Sequence, residues 1–223
     1  MNRSPMFEAV IFDWDGTLAD TRRVIVISFQ KAAAEANLKV SNEYIERRIG
    51  IGAADTFRDI LRSANLQVDE PLVQRLVDRK SQFEIEMTSQ VKLFPGAIEL
   101  LEALRGRVKM GLASMNNRAV IMHMVQANNL GQYFQTILTA ESISHSKPNP
   151  EIFLKTAVEL NESPQTCVVL EDSIFGVKAA KSGGMSCIAV TTGVYSRVEL
   201  EREKPDLLVK TLEDRWILHF ILK

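Results

Sequence analysis

Cysteine is scarce in this chain, with two in 223 residues, Cys167 and Cys187. Each lies inside an apolar, strand-like run, so both read as buried small hydrophobes. That excludes a disulfide framework and a cysteine metal cluster. The three histidines, His123, His145 and His219, are scattered without zinc-ligand spacing, and His145 reads as a loop residue rather than a base. Neither sign of charge is in excess: 27 basic against 28 acidic residues leave a net −1. That gives no electrostatic footprint for nucleic acid or an anionic membrane. No apolar run approaches a bilayer span, and the stretch from Met1 to Glu8 lacks the apolar core of a signal peptide. Internal repeats and low-complexity segments are missing too. What is there is a globular composition, 46% hydrophobic and 25% charged, at a length that holds one large domain or a core with a smaller insertion. The expectation is a soluble cytoplasmic protein, monomer or homodimer, with no nucleic-acid and no membrane partner.

Past residue 90 two periodicities alternate. Helical patterns cover Pro95 to Leu104, Asn117 to Asn128, Pro150 to Leu160 and Ser173 to Ser182, the last stopped by Gly183-Gly184. Between them lie strand-like runs at Val108 to Ala113, Thr136 to Leu138, Thr166 to Leu170 and Ser186 to Val190. With the strand Ala9 to Phe12, this predicts a doubly wound, Rossmann-like α/β fold with a parallel sheet covered on both faces. Residues from about 20 to 88 break the alternation with four helical patterns, Arg22 to Ala36, Asn42 to Ile49, Ala53 to Ala64 and Glu70 to Met87. They read as an inserted α-helical domain over residues 20–91, with the α/β core formed by 1–19 and 92–223. The apolar C-terminal run Trp216 to Leu222 reads as a helix packed on the sheet or on a partner.

Ligands of open α/β sheets bind at the carboxyl ends of the strands, and there the chain concentrates its chemistry. After the first strand come Asp13 and Asp15, which strand alternation places on one side with Trp14 on the other. After the second come Ser114, Met115, Asn116 and Asn117; after the Cys167 run, Glu171 and Asp172. The loop before the Pro150 helix supplies Ser146, Lys147, Pro148 and Asn149. Each has an ordinary alternative: Asp15-Gly16 is a common turn, Ser114 a helix cap, Lys147 a solvated loop lysine, and Glu171-Asp172 an acidic strand end beside a cap. Four segments converging on one rim favour a site. Clustered carboxylates need a cation, and hard oxygen donors suit Mg²⁺ with substrate phosphate oxygens. Ser114, with the N–H groups of the following helix start, and Lys147 then suit phosphate.

These four segments resemble the motifs of the haloacid dehalogenase-like superfamily of phosphatases, in the branch of phosphoglycolate phosphatases, β-phosphoglucomutase and sugar-phosphate phosphatases. They run Asp13-Trp14-Asp15-Gly16-Thr17-Leu18, Leu112 to Asn116, Ser146 to Pro150 leading into Glu151-Ile152-Phe153, and Leu170 to Ser173 continuing through Gly176-Val177 to Gly183. The similarity covers nearly the whole chain. It implies that Asp13 is the nucleophile, forming an aspartyl-phosphate, and Asp15 the general acid and base. Ser114, Met115, Asn116 and Lys147 are then the phosphate-binding residues. Mg²⁺ is expected on Asp13, the backbone carbonyl of Asp15, and Asp172, with Glu171 binding directly or through water. Thr21 and Phe94 are placed near the hinges of a closing helical cap.

Within the superfamily, dehalogenases lack an acid two residues after the nucleophile, so Asp15 argues for phosphoryl transfer. The phosphonate-hydrolysing branch needs a Schiff-base lysine from its cap, for which Lys31 and Lys39 are no firm counterparts. The mutase carries a histidine ten residues past the second aspartate; here Ile25 stands. The resulting expectation is a Mg²⁺-dependent phosphatase acting on a small phosphorylated metabolite, of sugar phosphate or phosphoglycolate type. A phosphomutase and a non-catalytic binding domain of the same fold are the alternatives. In this family a cap loop sets specificity, and Arg48 to Asp55 is the expected loop. Gly50 and Gly52 would let its backbone approach a ligand, and Arg48 would meet a substrate carboxylate. A plain turn between helices reads equally well there.

Overall fold

The computed structural model describes residues 6–223. The expected absence of a leader, and the start of the expected core segment at residue 1, fall on residues 1–5 and to that extent lie outside the described residues.

The strand β1 (Ala9–Phe12) is buried along its length, and its residues alternate between two cores. Val10 and Phe12 join one, Ala9 and Ile11 the other, as a strand covered on both faces requires. After β2 (Ala19–Asp20) come four helices: α1 (Arg22–Glu35), α2 (Asn42–Glu46), α3 (Ala53–Ser63) and α4 (Glu70–Glu86). The chain then continues through β3 (Lys92–Leu93), α5 (Ala97–Leu104), β4 (Lys109–Ala113), α6 (Arg118–Ala127), β5 (Thr136–Leu138) and α7 (Glu151–Glu159). It ends with β6 (Cys167–Glu171), α8 (Ile174–Ser182), β7 (Ser186–Val190), α9 (Arg197–Arg202), β8 (Leu207–Val209) and α10 (Arg215–Leu222). Among the described residues, six strands form one sheet in the order β5-β4-β1-β6-β7-β8. Every pairing in it is parallel. The doubly wound α/β expectation holds. Cys167 and Cys187 are buried and free, and no helix is long and apolar enough to cross a membrane among the described residues.

Local chemistry sets the helix starts. Asn117 accepts from the Ala119 N–H, Ser173 from that of Gly176, and Asp69 from that of Leu72, so each caps its helix. The four helices between β2 and β3 gather their own apolar cluster, with Phe29, Ile45, Phe57, Leu61 and Leu76 inside it. Two short elements and one ribbon lie outside the sequence expectation. β2 and β3 pair antiparallel, Ala19 with Leu93 and Asp20 with Lys92, at the neck of the helical segment. β8 adds an edge strand and α9 a six-residue helix, both too short to carry a period. Of the two readings of the C-terminal run, packing on the sheet holds: Ile217 and Ile221 of α10 enter the core beside α5 and β8.

Candidate functional site

β1 runs between β4 and β6, with Phe12 abreast of both Leu112 and Leu170. One residue further on, Asp13 is level with Ala113 and Glu171. Three neighbouring strand ends therefore deliver Asp13, Ser114 and the Glu171-Asp172 pair to one rim. Trp14 leaves the other way: it is buried in the core and its indole N–H donates to Met124 Sδ at 3.2 Å. Asp13, Asp15, Ser114, Asn116, Lys147, Glu171 and Asp172 are all buried, which none would be as a solvated cap.

Lys147 is fully enclosed and bridges two of the acids, donating to Asp13 Oδ1 at 2.7 Å and to Glu171 Oε1 at 2.5 Å. The solvated-loop alternative for this lysine is excluded. Ser114 is not the helix cap, a task that falls to Asn117. Its hydroxyl donates to Asp15 Oδ2 at 3.3 Å and accepts the Asn116 N–H at 3.0 Å. Glu171 Oε2 accepts from the N–H groups of Asp172 and Ser173 and from the Ser173 hydroxyl.

Carboxylate oxygens of Asp13, Glu171 and Asp172 lie within 4.8 Å of one another. The Asp15 carboxyl is not in that cluster, because it turns to Ser114. Asp172 is held by packing: Thr17 Oγ1 donates to its Oδ1 at 3.1 Å. A Cβ on Gly16 would stand 2.3 Å, and one on Gly193 1.7 Å, from its Oδ2. That Oδ2 is buried without a hydrogen-bond partner. Three buried oxygen donors, one orphaned and cradled by glycines, fit a hard divalent cation such as Mg²⁺.

The electrostatics agree. Burial, with the charges of Glu171 and Asp15 added, lifts the Asp13 carboxyl well above its ordinary range despite Lys147. Burial and then Glu171 and Asp13 do the same to Asp172. Asp15 is raised by burial, against the pull of Lys80. Lys147, disfavoured by burial, is nonetheless raised above its usual value by Asp13 and Glu171. The site holds more negative charge than Lys147 balances, the condition in which cation binding is favoured.

The glycine loop reaches the same rim. Gly50, at φ +101°, lies where a Cβ would stand 2.8 Å from Ser173 Oγ, and Gly52 where one would stand 3.2 Å from Met115 Cε. Arg48 stacks its guanidinium 3.6 Å from the Tyr44 ring centroid and stands 3.9 Å from Asp59. Together with Asp13, Asp15, Ile25, Phe29, Met115 and Asn116, Arg48 lines a cavity of about 30 Å³. The lysine that the helical segment brings to this cavity is Lys80 of α4; Lys31 and Lys39 are exposed.

Sequence reasoning passed over Thr17 and Gly193 around Asp172, and Lys80 with Glu84 on α4. A glycine and a threonine have no chemistry of their own to flag. Lys80 and Glu84, four residues apart on a helix, look like a solvated pair, and only their burial marks them out.

A family model described as haloacid dehalogenase-like hydrolase matches residues 10–190. A phosphorylated carbohydrates phosphatase of Thermotoga maritima is 32% identical over 184 residues, 81% of this chain and 83% of that protein. A β-phosphoglucomutase of Bacillus subtilis is 29% identical over 219 residues, 94% and 95% of the two chains. Among solved structures, a hydrolase from Pseudomonas syringae superposes with a TM-score of 0.89 at 26% identity, covering 97% of this chain and all of that one.

Proposed function

From the premise that the chain belongs to the haloacid dehalogenase-like hydrolases, and is a phosphoric monoester hydrolase of that family, we propose that it hydrolyses a small phosphorylated metabolite through an aspartyl-phosphate on Asp13. The observation that carries this reading is that Asp13 and Asp15 line one cavity while Lys147 is hydrogen-bonded to Asp13 and Ser114 to Asp15. Asp13, fixed by Lys147 at 2.7 Å, presents a carboxylate oxygen to phosphorus. Lys147 and Ser114, with the N–H group of Met115 and the side-chain amide of Asn116, whose Nδ2 has no other partner, hold the phosphoryl oxygens. Asp15, raised by burial, carries the proton to the leaving oxygen and then takes one from the water that hydrolyses the acyl-phosphate. A divalent cation would be held by Asp13 and Asp172 and the backbone carbonyl of Asp15, with Glu171 binding directly or through water. Mg²⁺ bound there would neutralise the carboxylates and the incoming phosphate.

Residues 20–91 act as the cap on a core of 1–19 and 92–223. Its loop at Arg48, Gly50 and Gly52 faces the leaving group and sets specificity, with Arg48 and Gly50 on the wall of that cavity. Hydrolysis is preferred over phosphomutase transfer because the wall of that cavity is apolar at Ile25. A mutase needs a proton-transfer group for a bisphosphate intermediate there.

The test is phosphate release from p-nitrophenyl phosphate with Mg²⁺, followed by a screen of sugar phosphates, phosphoglycolate and pyrophosphate ranked by kcat/KM. Asp13→Asn should reduce turnover to the assay background. Turnover equal to the parent's would sink the mechanism, and isomer formation without net phosphate release would turn the assignment to a mutase.

A further inference from the structure

α4 carries a buried ion pair to which the reaction above gives no part. Lys80 and Glu84 share one face of the helix, and that face is turned inward, with Lys80 3% exposed and Glu84 fully buried. The Lys80 ammonium donates to Glu84 Oε2 at 2.7 Å and to Asn116 Oδ1 at 2.9 Å. Asn116, in the loop after β4, gives its N–H to Ser114 Oγ, and Ser114 gives its hydroxyl to Asp15 Oδ2. Five residues therefore form an unbroken chain from α4 to Asp15. The ammonium also stands 5.3 Å from the Phe29 ring centroid, on the wall of the cavity that Asp13 and Asp15 line.

Stability does not account for this arrangement. A buried ion pair breaks even at best against apolar side chains of the same volume, and Val73, Leu76 and Val77 on α4 supply apolar burial without it. Glu84 Oε1, Asn116 Nδ2 and Asp15 Oδ1 are moreover buried without partners. Three unpaired polar atoms in one chain beside a reactive cavity are costly, and such a cost is retained where geometry serves function.

Resting on the phosphoryl-transfer reading, we infer that Glu84 is a positioning residue. It fixes the Lys80 ammonium on the cavity wall, and through Asn116 and Ser114 that lysine holds the Asp15 carboxyl in the orientation that meets the leaving oxygen. Lysine is a flexible point charge on a four-carbon stem. Without Glu84 its ammonium turns to the remaining carboxyl of the chain, Asp15, and draws it away from Ser114. Glu84 touches no substrate and acts only through Lys80.

The experiment is steady-state kinetics on p-nitrophenyl phosphate with Mg²⁺ for the parent, Glu84→Gln, Lys80→Met and Lys80→Met/Glu84→Met. Each also has its Tm and its inhibition constant for inorganic phosphate measured. Glu84→Gln keeps the volume and one hydrogen bond. It should retain phosphate inhibition and KM within about twofold while kcat falls about 10- to 100-fold, the cost of a misaligned catalytic group. The double variant should turn over no more slowly than Lys80→Met, since residues acting through one another are not additive. It replaces a buried pair with apolar volume and should fold even if Glu84→Gln does not. Parental kcat in Glu84→Gln, a kcat loss that follows a fall in Tm, or multiplicative losses in the double variant would each overturn the inference. An inactive parent overturns the phosphatase reading and this inference with it; an active parent indifferent to Glu84→Gln removes this inference alone.

Discussion

The position of a buried carboxylate depends on what holds it, and Asp172 is held mostly by the absence of atoms. Gly16 and Gly193 leave room for its Oδ2 where any side chain would collide, and Thr17 fixes its other oxygen. Gly193→Ala is therefore expected to displace Asp172 rather than to unfold the chain. The apparent Mg²⁺ activation constant should rise about 10- to 100-fold, the range for disturbing the groups that orient a metal ligand. Phosphate inhibition, which the proposed function assigns to Ser114 and Lys147, should change far less. A Mg²⁺ titration of the alanine variant that overlays the parent's would show that Asp172 has no part in cation binding. At this scale the sequence was legible where a residue carries reactive chemistry. Asp13, Asp15, Ser114, Lys147, Glu171 and Asp172 announce themselves by type and by strand-end position. Thr17 and Gly193 do not, because their effect is exerted across the fold; Thr17 is 155 positions from its partner Asp172.

Elements tell a similar story of period and length. The β–α alternation after residue 90 could be read because each unit is long enough to show its period. The β2–β3 ribbon, β8 and α9 are too short, and only pairing with distant chain defines them. The helical segment was legible as helices, while its relation to the core was not, because that depends on which faces are apolar in three dimensions. Its own cluster centres on Phe57, fully buried with its ring 4.8 Å from that of Phe29. If residues 20–91 form a domain of their own, Phe57→Ala should lower stability by about 3–5 kcal/mol, the usual cost of an emptied aromatic site. The loss should be local. Hydrogen exchange is expected to speed up in α1, α3 and α4 while β1, β4 and β6 keep their protection. Equal acceleration in the sheet would mean that the two parts unfold as one unit and that the proposed division is wrong.

The whole molecule is nearly neutral but unevenly charged. Asp13, Asp15, Glu171 and Asp172 are buried around Lys147, which bonds two of them, so folding confines like charges that the unfolded chain spreads through water. Burial holds Asp13, Asp15 and Asp172 above their ordinary value of 3.8. Between that value and the raised ones, the folded state keeps protons that the unfolded state has released. Stability gained from those protons is present at the lower end of the window and is lost as pH rises through the folded values. Glu151 and Glu199 have the opposite sign. They are held at about 2, Glu151 first by Lys155 and Glu199 first by Arg47. Their contribution is present above 4.5 and fades only as pH falls toward 2; at the surface it is small. With a chelator present, Tm should therefore fall as pH rises above 4.5 and through the raised carboxyl values. A divalent cation that binds only the folded state adds stability by mass action and takes over the neutralising role of the protons. Excess Mg²⁺ should raise Tm most at the alkaline end and flatten the slope. Asp172→Asn should flatten the slope in chelator by itself and lose most of the Mg²⁺ increment. Scanning calorimetry at both ends of the range, with and without Mg²⁺, checks all three outcomes. A Tm that climbs with pH in chelator would show that the acidic cluster is not where the strain of this fold resides.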